Sequence, residues 1–323
     1  MSKDDTDTQT STKKSDNEGV VRRSIAIRMI RHAESMNNEV YRKARQMFKG
    51  GTPAFDVEGW HNYVDTQRSA DPGISPRGEI QAQKLKEYLV NHLDNQASGP
   101  VRIITSPMRR TMETILPTLR ELKCEAEIIV NGLYVESEGC HIKENPVPGM
   151  NQIEIKDFLS SAASASASSS PLSFVGFDED PNAGWYAHGT GPETRAQSEE
   201  RASAFYTWLC EYLDEQLQSN DHDLFDAGVA LPEETHEHES DKFSPRQRRR
   251  RTAVLIGHGD FMSLVLKRVV AGFGHSIGEL DRRGTDGCLA RVRRGDPLAI
   301  HTVCTEDIIY YTITHFHLNW SVL

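Results

Sequence analysis

Apolar and polar positions along this chain alternate between two periods. Four short, largely β-branched runs, "SIAIRMI" (Ser24–Ile30), "VRIITS" (Val101–Ser106), "AEIIV" (Ala126–Val130) and "TAVLIGHG" (Thr252–Gly259), are nearly unbroken by polar residues until their ends. Such runs are what a parallel sheet demands, because helices cover both of its faces. Between them the spacing becomes helical. After Gly78, the residues Ile80, Leu85, Tyr88, Leu89 and Leu93 fall close to one face, and Met108, Met112, Ile115, Leu119 and Leu122 recur at steps of three and four. Ser106-Pro107 reads as an N-cap followed by a proline at the first helical position. "DFMSLVLKRVVAGFG", from Asp260, predicts another helix, with Gly272 and Gly274 as its stops. Strands alternating with helices indicate an α/β fold with a mostly parallel sheet. The tail segments "CLARVRR", "AIHTVC" and "DIIYYTITHFHL" predict closely spaced strands at a partly antiparallel edge.

Composition sets the domain organisation. Residues 1–20 lack large apolar side chains, apart from Met1 and Val20, and are expected to be a disordered tail; residues 21–323 are then expected to form a single domain. Two segments are expected to be flexible insertions. One is the Ser/Ala-rich stretch at about 160–170; the other, 218–251, begins acidic and ends in the run Arg246–Arg251. That run reads as a nuclear signal, as a contact for an acidic partner, or as a solvated charge block. The formal net charge of −10 argues against nucleic acid as a partner, because phosphate contact needs a basic face. Five cysteines in no paired spacing suit a reducing, cytoplasmic setting. Neither a secretory apolar region nor a membrane-length apolar run is expected. Asn319-Trp320-Ser321, a glycosylation-type triplet at the extreme end, reads as chance without a signal peptide.

The chemistry gathers at strand ends. In open α/β sheets ligands sit beyond the carboxyl ends of the strands. There this sequence places Arg31-His32, Ser106 with Arg110 one turn later, and His258 between Gly257 and Gly259. Flanking glycines would let a ligand approach the backbone closely. Two arginines and two histidines at one edge make an anion site, since the guanidinium fork matches phosphate oxygens. A neutral imidazole among them is also a good nucleophile towards phosphorus.

Those residues carry a resemblance. "IRMIRHAESMNN" (Ile27–Asn38) resembles the "RHGE" signature of the histidine phosphatase superfamily, also called phosphoglycerate-mutase-like, with Ala33 in place of the usual glycine. "DPGISPRGEIQAQKL" (Asp71–Leu85), "TSPMRRTMET" (Thr105–Thr114), "GLYVESEGC" (Gly132–Cys140) and "VLIGHGDFMSLVL" (Val254–Leu266) resemble further blocks of that family, in order. The resemblance implies a three-layer α/β/α sandwich with long loop insertions over the site. It implies a phosphomonoesterase in which His32 becomes a phosphohistidine. Arg31, Arg110 and His258 would bind the phosphoryl oxygens, and Glu136 would serve as acid and then base. Asn38 would contact phosphate or support the loop. It implies no metal and no cofactor, and a small phosphorylated substrate or a phosphoprotein as partner. Glu138 and Glu144 compete with Glu136 for the acid, and Arg109 competes with Arg110. A mutase that returns the phosphoryl group to bound product, or a non-catalytic binder of phosphorylated ligands, remains the alternative. The pairs His236/His238 and His315/His317 lack accompanying ligands and are not expected to hold metal. Phe55, Trp60 and Tyr63, and Phe174, Phe177, Trp185 and Tyr186, fall in the two long insertions, where they either meet substrate or pack the insertion against the core.

Overall fold

The computed structural model describes residues 25–96, 100–162, 171–187, 189, 191–218, 251–272, 299–305 and 308–316. Its strands, numbered along the chain, are β1 (Ile25–Arg31), β2 (Val101–Thr105), β3 (Ala126–Asn131), β4 (His141–Ile142), β5 (Asn145–Pro146), β6 (Leu172–Val175), β7 (Arg251–Gly257), β8 (Ala299–Thr305) and β9 (Ile308–Phe316). One sheet has the order β6-β3-β2-β7-β1-β9-β8. From β6 to β1 every pairing is parallel; β9 and β8 add the antiparallel edge. The segments β4 and β5 pair separately.

Strand parity explains why the apolar runs are unbroken. Ile27, Met29, Ile104, Ile129, Ala253 and Leu255 face one layer, and Ile30, Ile103, Ile128, Val130, Val254 and Ile256 face the other. The first layer is built from helix α6 (Arg195–Gln218), through Ala202, Phe205, Leu209 and Leu213, and α7 (Gly259–Gly272), through Phe261 and Val265. The second is built from α3 (Pro76–Gln96), α4 (Arg109–Glu121) and α5 (Gln152–Ala162), through Leu85, Leu89, Met112, Ile115 and Ile155. The fold is therefore an α/β/α sandwich on a mostly parallel sheet.

Two further helices, α1 (Met36–Met47) and α2 (Val57–Gln67), follow β1 and pack on each other. Their aromatic residues pack among themselves: Tyr41 and Phe55 on Trp60, and Phe48 on Tyr63. Asn37 and Ser69 exchange two hydrogen bonds, 2.8 and 3.0 Å, and so tie the two ends of this hairpin together. In the later insertion Phe174 packs on Phe177 and Trp185 on Tyr186, all against the second core layer.

Several local expectations change. Ser106 does not cap α4: that helix starts at Arg109, its N-cap is Met108 without a side-chain bond, and the Ser106 hydroxyl is turned into the site. The stretch at about 160–170 begins inside α5, Gln218 closes α6 and Arg251 opens β7. The tail 1–20, residues 163–170 and 219–250, the segment "CLARVRR", Gly274, His317 and Asn319 lie outside the described residues.

Candidate active site

Sheet register brings the strand ends level. Arg31 pairs with Gly257, and Thr105 with both Ile256 and Val130. Just beyond, His32 N donates to Gly257 O (2.9 Å) and Ser106 N to Ile256 O (3.2 Å). His32, Ser106 and His258 therefore stand side by side at one edge of the sheet, where apolar strand gives way to polar loop. Arg110, in the first turn of α4, reaches the same point.

The protonation of His32 follows from its bonds. Nδ1 lies 2.7 Å from Ala33 O, which only accepts, so Nδ1 carries the hydrogen. Arg110 Nε then donates to a bare Nε2 at 3.2 Å. Burial, followed by the Arg110 charge, holds the His32 pKa well below the ordinary histidine value; the Ala33 bond opposes this and Arg31 adds to it. His32 is thus a neutral imidazole whose Nε2 lone pair accepts from Arg110.

His258 is fully buried, and its ring centroid lies 5.2 Å from that of His32. Its Nε2 is 3.0 Å from Ser106 Oγ, which also accepts from Met108 N at 3.3 Å. The Ser106 hydroxyl can donate to Nε2 while it accepts from Met108 N, and in that tautomer the ring proton is on Nδ1. That atom has no hydrogen-bond partner among the described residues and lies 3.8 Å from Glu136 Oε2. Burial, then Arg110, holds His258 neutral as well.

Glu136 lies in the loop after β3. Oε1 accepts from Ser137 N at 3.0 Å, and the amide of Phe261, in the first turn of α7, also bonds the carboxylate. Burial raises its pKa above the ordinary glutamate value; Arg110 and the two amides oppose that rise. Glu138 turns away: its side chain is 69% exposed and sits 3.9 Å from His141 Nε2. Glu144 is exposed too. Of the three acids, Glu136 is the one beside both His258 and Arg110.

The arginines separate in the same way. Arg110 is buried on His32, whereas Arg109 is 53% exposed and paired with Glu113 at 2.7 Å. Arg31 lies against Gly259, where an added Cβ would sit 3.3 Å from its Nε. Gly257 has a different reason for being glycine than ligand approach: a Cβ there would fall 2.3 Å from Tyr134 Cζ. Asn38 belongs to the capping box of α1, its Oδ1 accepting from Ser35 N (3.0 Å) and Ser35 Oγ (2.9 Å). It supports the loop that follows His32.

Other supports were not picked out from the sequence. Thr114 Oγ1 accepts from Ala33 N at 2.9 Å and donates to Arg110 O at 2.6 Å, joining the two halves of the site. Gln81 and Ser75 hold Glu34, and Gly78 lets Glu34 O lie where a Cβ would clash. Asp71 accepts from Arg109 N, the amide at the start of α4, at 2.9 Å. Each lies inside a block already singled out, but a hydroxyl or amide one turn from a named residue gives no signal of its own.

Could this cluster hold a cation? Ligand atoms of His32, Glu136 and His258 lie within 4.8 Å of one another, a spacing compatible with metal ligands. The neighbouring charges oppose one: Arg110 already occupies Nε2 of His32, and both arginines repel a second cation. Two buried neutral imidazoles, two guanidinium groups and one protonatable carboxyl suit a tetrahedral oxyanion instead.

Comparison with known proteins agrees with this chemistry in one respect. The family model of the histidine phosphatase superfamily (branch 1) matches residues 58–131. Among curated proteins none matches. Of solved structures, a mycobacterial hydrolase has 14% identity and a TM-score of 0.36, covering 77% of this chain and 73% of its own. An ecdysone phosphate phosphatase from Bombix mori, solved with tungstate, has 14% identity and a TM-score of 0.39, covering 88% and 91%. At those scores the likeness carries no weight of its own. Among the described residues no helix is long and apolar enough to cross a membrane. The sequence match spans Ser75, Gly78, Thr105, Ser106, Arg110 and Thr114, so this part of the chain is similar to the histidine phosphatase superfamily.

Proposed function

We propose that this chain hydrolyses phosphate monoesters through a phosphohistidine on His32. Nε2 attacks phosphorus, the N–P bond forms and the P–O bond to the leaving alcohol breaks. Glu136 gives its proton to that oxygen. Water then attacks phosphorus and loses a proton to the Glu136 carboxylate, the N–P bond breaks, and inorganic phosphate leaves. Arg31, Arg110 and His258 Nδ1–H hold the three non-bridging oxygens as charge builds on them. Ala33 O keeps the proton on Nδ1 of His32, so that the attacking atom is the one facing the arginines.

One observation supports this above the others: the unprotonated Nε2 of His32 meets the Arg110 guanidinium, with a carboxyl of raised pKa beside the second histidine. A cation site or a simple binding pocket has no use for an unprotonated imidazole nitrogen near a carboxyl whose pKa is raised.

The test is a panel of phosphomonoesters assayed for phosphate release, with trapping of an acid-labile phosphoenzyme. The expected result is release with a trapped adduct, both lost in His32→Ala. Isomerisation of a phosphoglycerate without net release would make the chain a mutase. Absence of any adduct with substantial turnover in His32→Ala would remove the mechanism. The substrate is a small phosphorylated molecule or a phosphoprotein; the phosphate-binding residues are indifferent to which.

A further inference from the structure

The main chain that carries Glu136 is held by a partly buried ion pair that the chemistry above does not use. Arg201 of α6 and Glu193 have side chains 12% and 14% exposed. Arg201 Nε and Nη2 meet the two carboxylate oxygens of Glu193 at 2.8 and 2.5 Å, and Ser198 Oγ donates to Glu193 Oε2 at 2.9 Å. The remaining donors of the guanidinium go to the acid loop. Nη1 donates to Leu133 O and Val135 O, both at 2.9 Å, and Nη2 donates to Glu136 O at 3.0 Å. Glu193 N adds a bond to Glu138 O, also 3.0 Å.

The geometry closes a ring. The Arg201 guanidinium carbon lies 4.3 Å from the centre of the Phe261 ring. The backbone amide of Phe261 bonds the Glu136 carboxylate, and the Glu136 carbonyl returns to Arg201. One side chain thereby fixes both the main chain that carries the acid and the residue that orients its carboxyl. Only a planar group with several fixed donors can satisfy three loop carbonyls and a carboxylate together; a lysine ammonium cannot.

We infer that the Arg201–Glu193 pair is a positioning device for the proton donor, setting where the Glu136 carboxyl stands relative to the leaving oxygen. This rests on the reading of Glu136 as the acid. Arg201 bonds the acid loop and Glu193 and reaches His258 only through its charge, which lysine keeps, so loss of the fork should spare attack by His32 and damage protonation of the alcohol. Steps that need little protonation should survive.

Arg201→Lys, Glu193→Gln and Glu136→Gln are compared in the full chain on an alkyl phosphate and on p-nitrophenyl phosphate. Arg201→Lys is expected to lower kcat on the alkyl ester about tenfold or more, within the range of acid catalysis, and on the aryl ester by less than about threefold. KM stays nearly unchanged for both. Glu193→Gln, the milder change, should show the same ordering with a smaller fall. Carboxyl 13C titration should show the Glu136 pKa moving down towards the ordinary value as the loosened loop admits water. Equal falls on both esters in Glu193→Gln with an unshifted Tm would overturn the inference. If Glu136→Gln itself shows no dependence on leaving group, the acid assignment has failed instead. The clamp is then judged on the titration, and an unmoved Glu136 pKa in Arg201→Lys overturns it.

Discussion

Arg110 Nε donates to His32 Nε2 across 3.2 Å, so this nitrogen of the imidazole is unprotonated. Arg110→Lys keeps the charge but loses the fork that can serve imidazole and phosphoryl oxygen at once. We expect kcat/KM to fall about 10²–10³-fold, or about 3–4 kcal/mol of transition-state stabilisation. Arg109→Lys, on the neighbouring exposed residue, should change it less than about twofold. Steady-state kinetics on one activated ester checks both, and comparable losses at the two positions would count against the assignment.

Activity should follow a bell in pH. Attack needs neutral His32, whose pKa is pushed below the ordinary value by burial and then by Arg110, so the rising limb lies well to the acid side of pH 6.5. Leaving-group protonation needs Glu136 in its acid form, and burial raises that pKa, so the falling limb lies above the ordinary glutamate value. The optimum in kcat/KM therefore lies between the two limbs, and on an alkyl phosphate, whose leaving oxygen needs the proton, Glu136→Gln should flatten the alkaline limb. A limb that persists unchanged in that variant belongs to another group.

Asp71 offers a stability readout of the opposite sign. Burial raises its pKa from 3.8 to about 6, against the Arg109 amide and the two arginine charges. A raised folded-state pKa means a contribution fully present below the unfolded value, near 4, and lost as pH rises through about 6. Asp71→Asn keeps an oxygen for Arg109 N and cannot ionise. Its Tm relative to wild type should climb between pH 4 and pH 7 and level off above. The neutral histidines run the other way: their depressed pKa values stabilise the fold above about pH 6.5 and lose that contribution as pH falls. A difference in Tm that is flat with pH would mean that Asp71 does not titrate in this window.

Much of this was legible in the sequence, and the reason is geometric. Continuous apolar runs identify buried parallel strands, and a parallel sheet fixes where its ligands bind, so His32, Ser106, Arg110 and His258 could be grouped before their distances were known. Glu136 was harder to choose because loop acids at 136, 138 and 144 look alike in one dimension. What separates them is the Phe261 amide from a helix over a hundred residues away. Arg201 carried a faint mark, an arginine four residues before Phe205 on the buried stripe of α6, but one cation beside a stripe is ordinary for a surface helix. The Ser106 N-cap reading failed because a serine before proline satisfies a local rule while here its hydroxyl is drawn to His258.

Thr114 bridges Ala33 and Arg110, and Thr114→Val removes the bridge while keeping the shape. Ala33 N is then a buried donor without its partner, at a cost of about 1–3 kcal/mol. The larger effect should be on turnover, since both the nucleophile loop and the first turn of α4 lose their common anchor. A tenfold or greater fall in kcat, roughly 1.4 kcal/mol or more, is expected, with the fold retained by circular dichroism. Loss of stability alone, with kcat intact, would reduce Thr114 to a packing residue.

Tyr134 tests the packing beneath the site. Its ring stacks on Phe205 at 4.5 Å and lies so close to Gly257 that a Cβ there would meet Cζ at 2.3 Å and the hydroxyl oxygen at 2.5 Å. The hydroxyl is buried with no hydrogen-bond partner among the described residues, and burial pushes its pKa far up. An unpaired buried hydroxyl is a liability, so Tyr134→Phe should leave activity intact and raise stability by about 1 kcal/mol. Gly257→Ala should do the reverse. The ring can yield only by leaving its stack and dragging Val135 and Glu136 with it, at about 1–3 kcal/mol of overpacking and with a loss of turnover. Urea unfolding of both variants measures the two signs. A destabilised Tyr134→Phe would mean that the hydroxyl has a partner, and its place against the β7 backbone would then need a polar explanation.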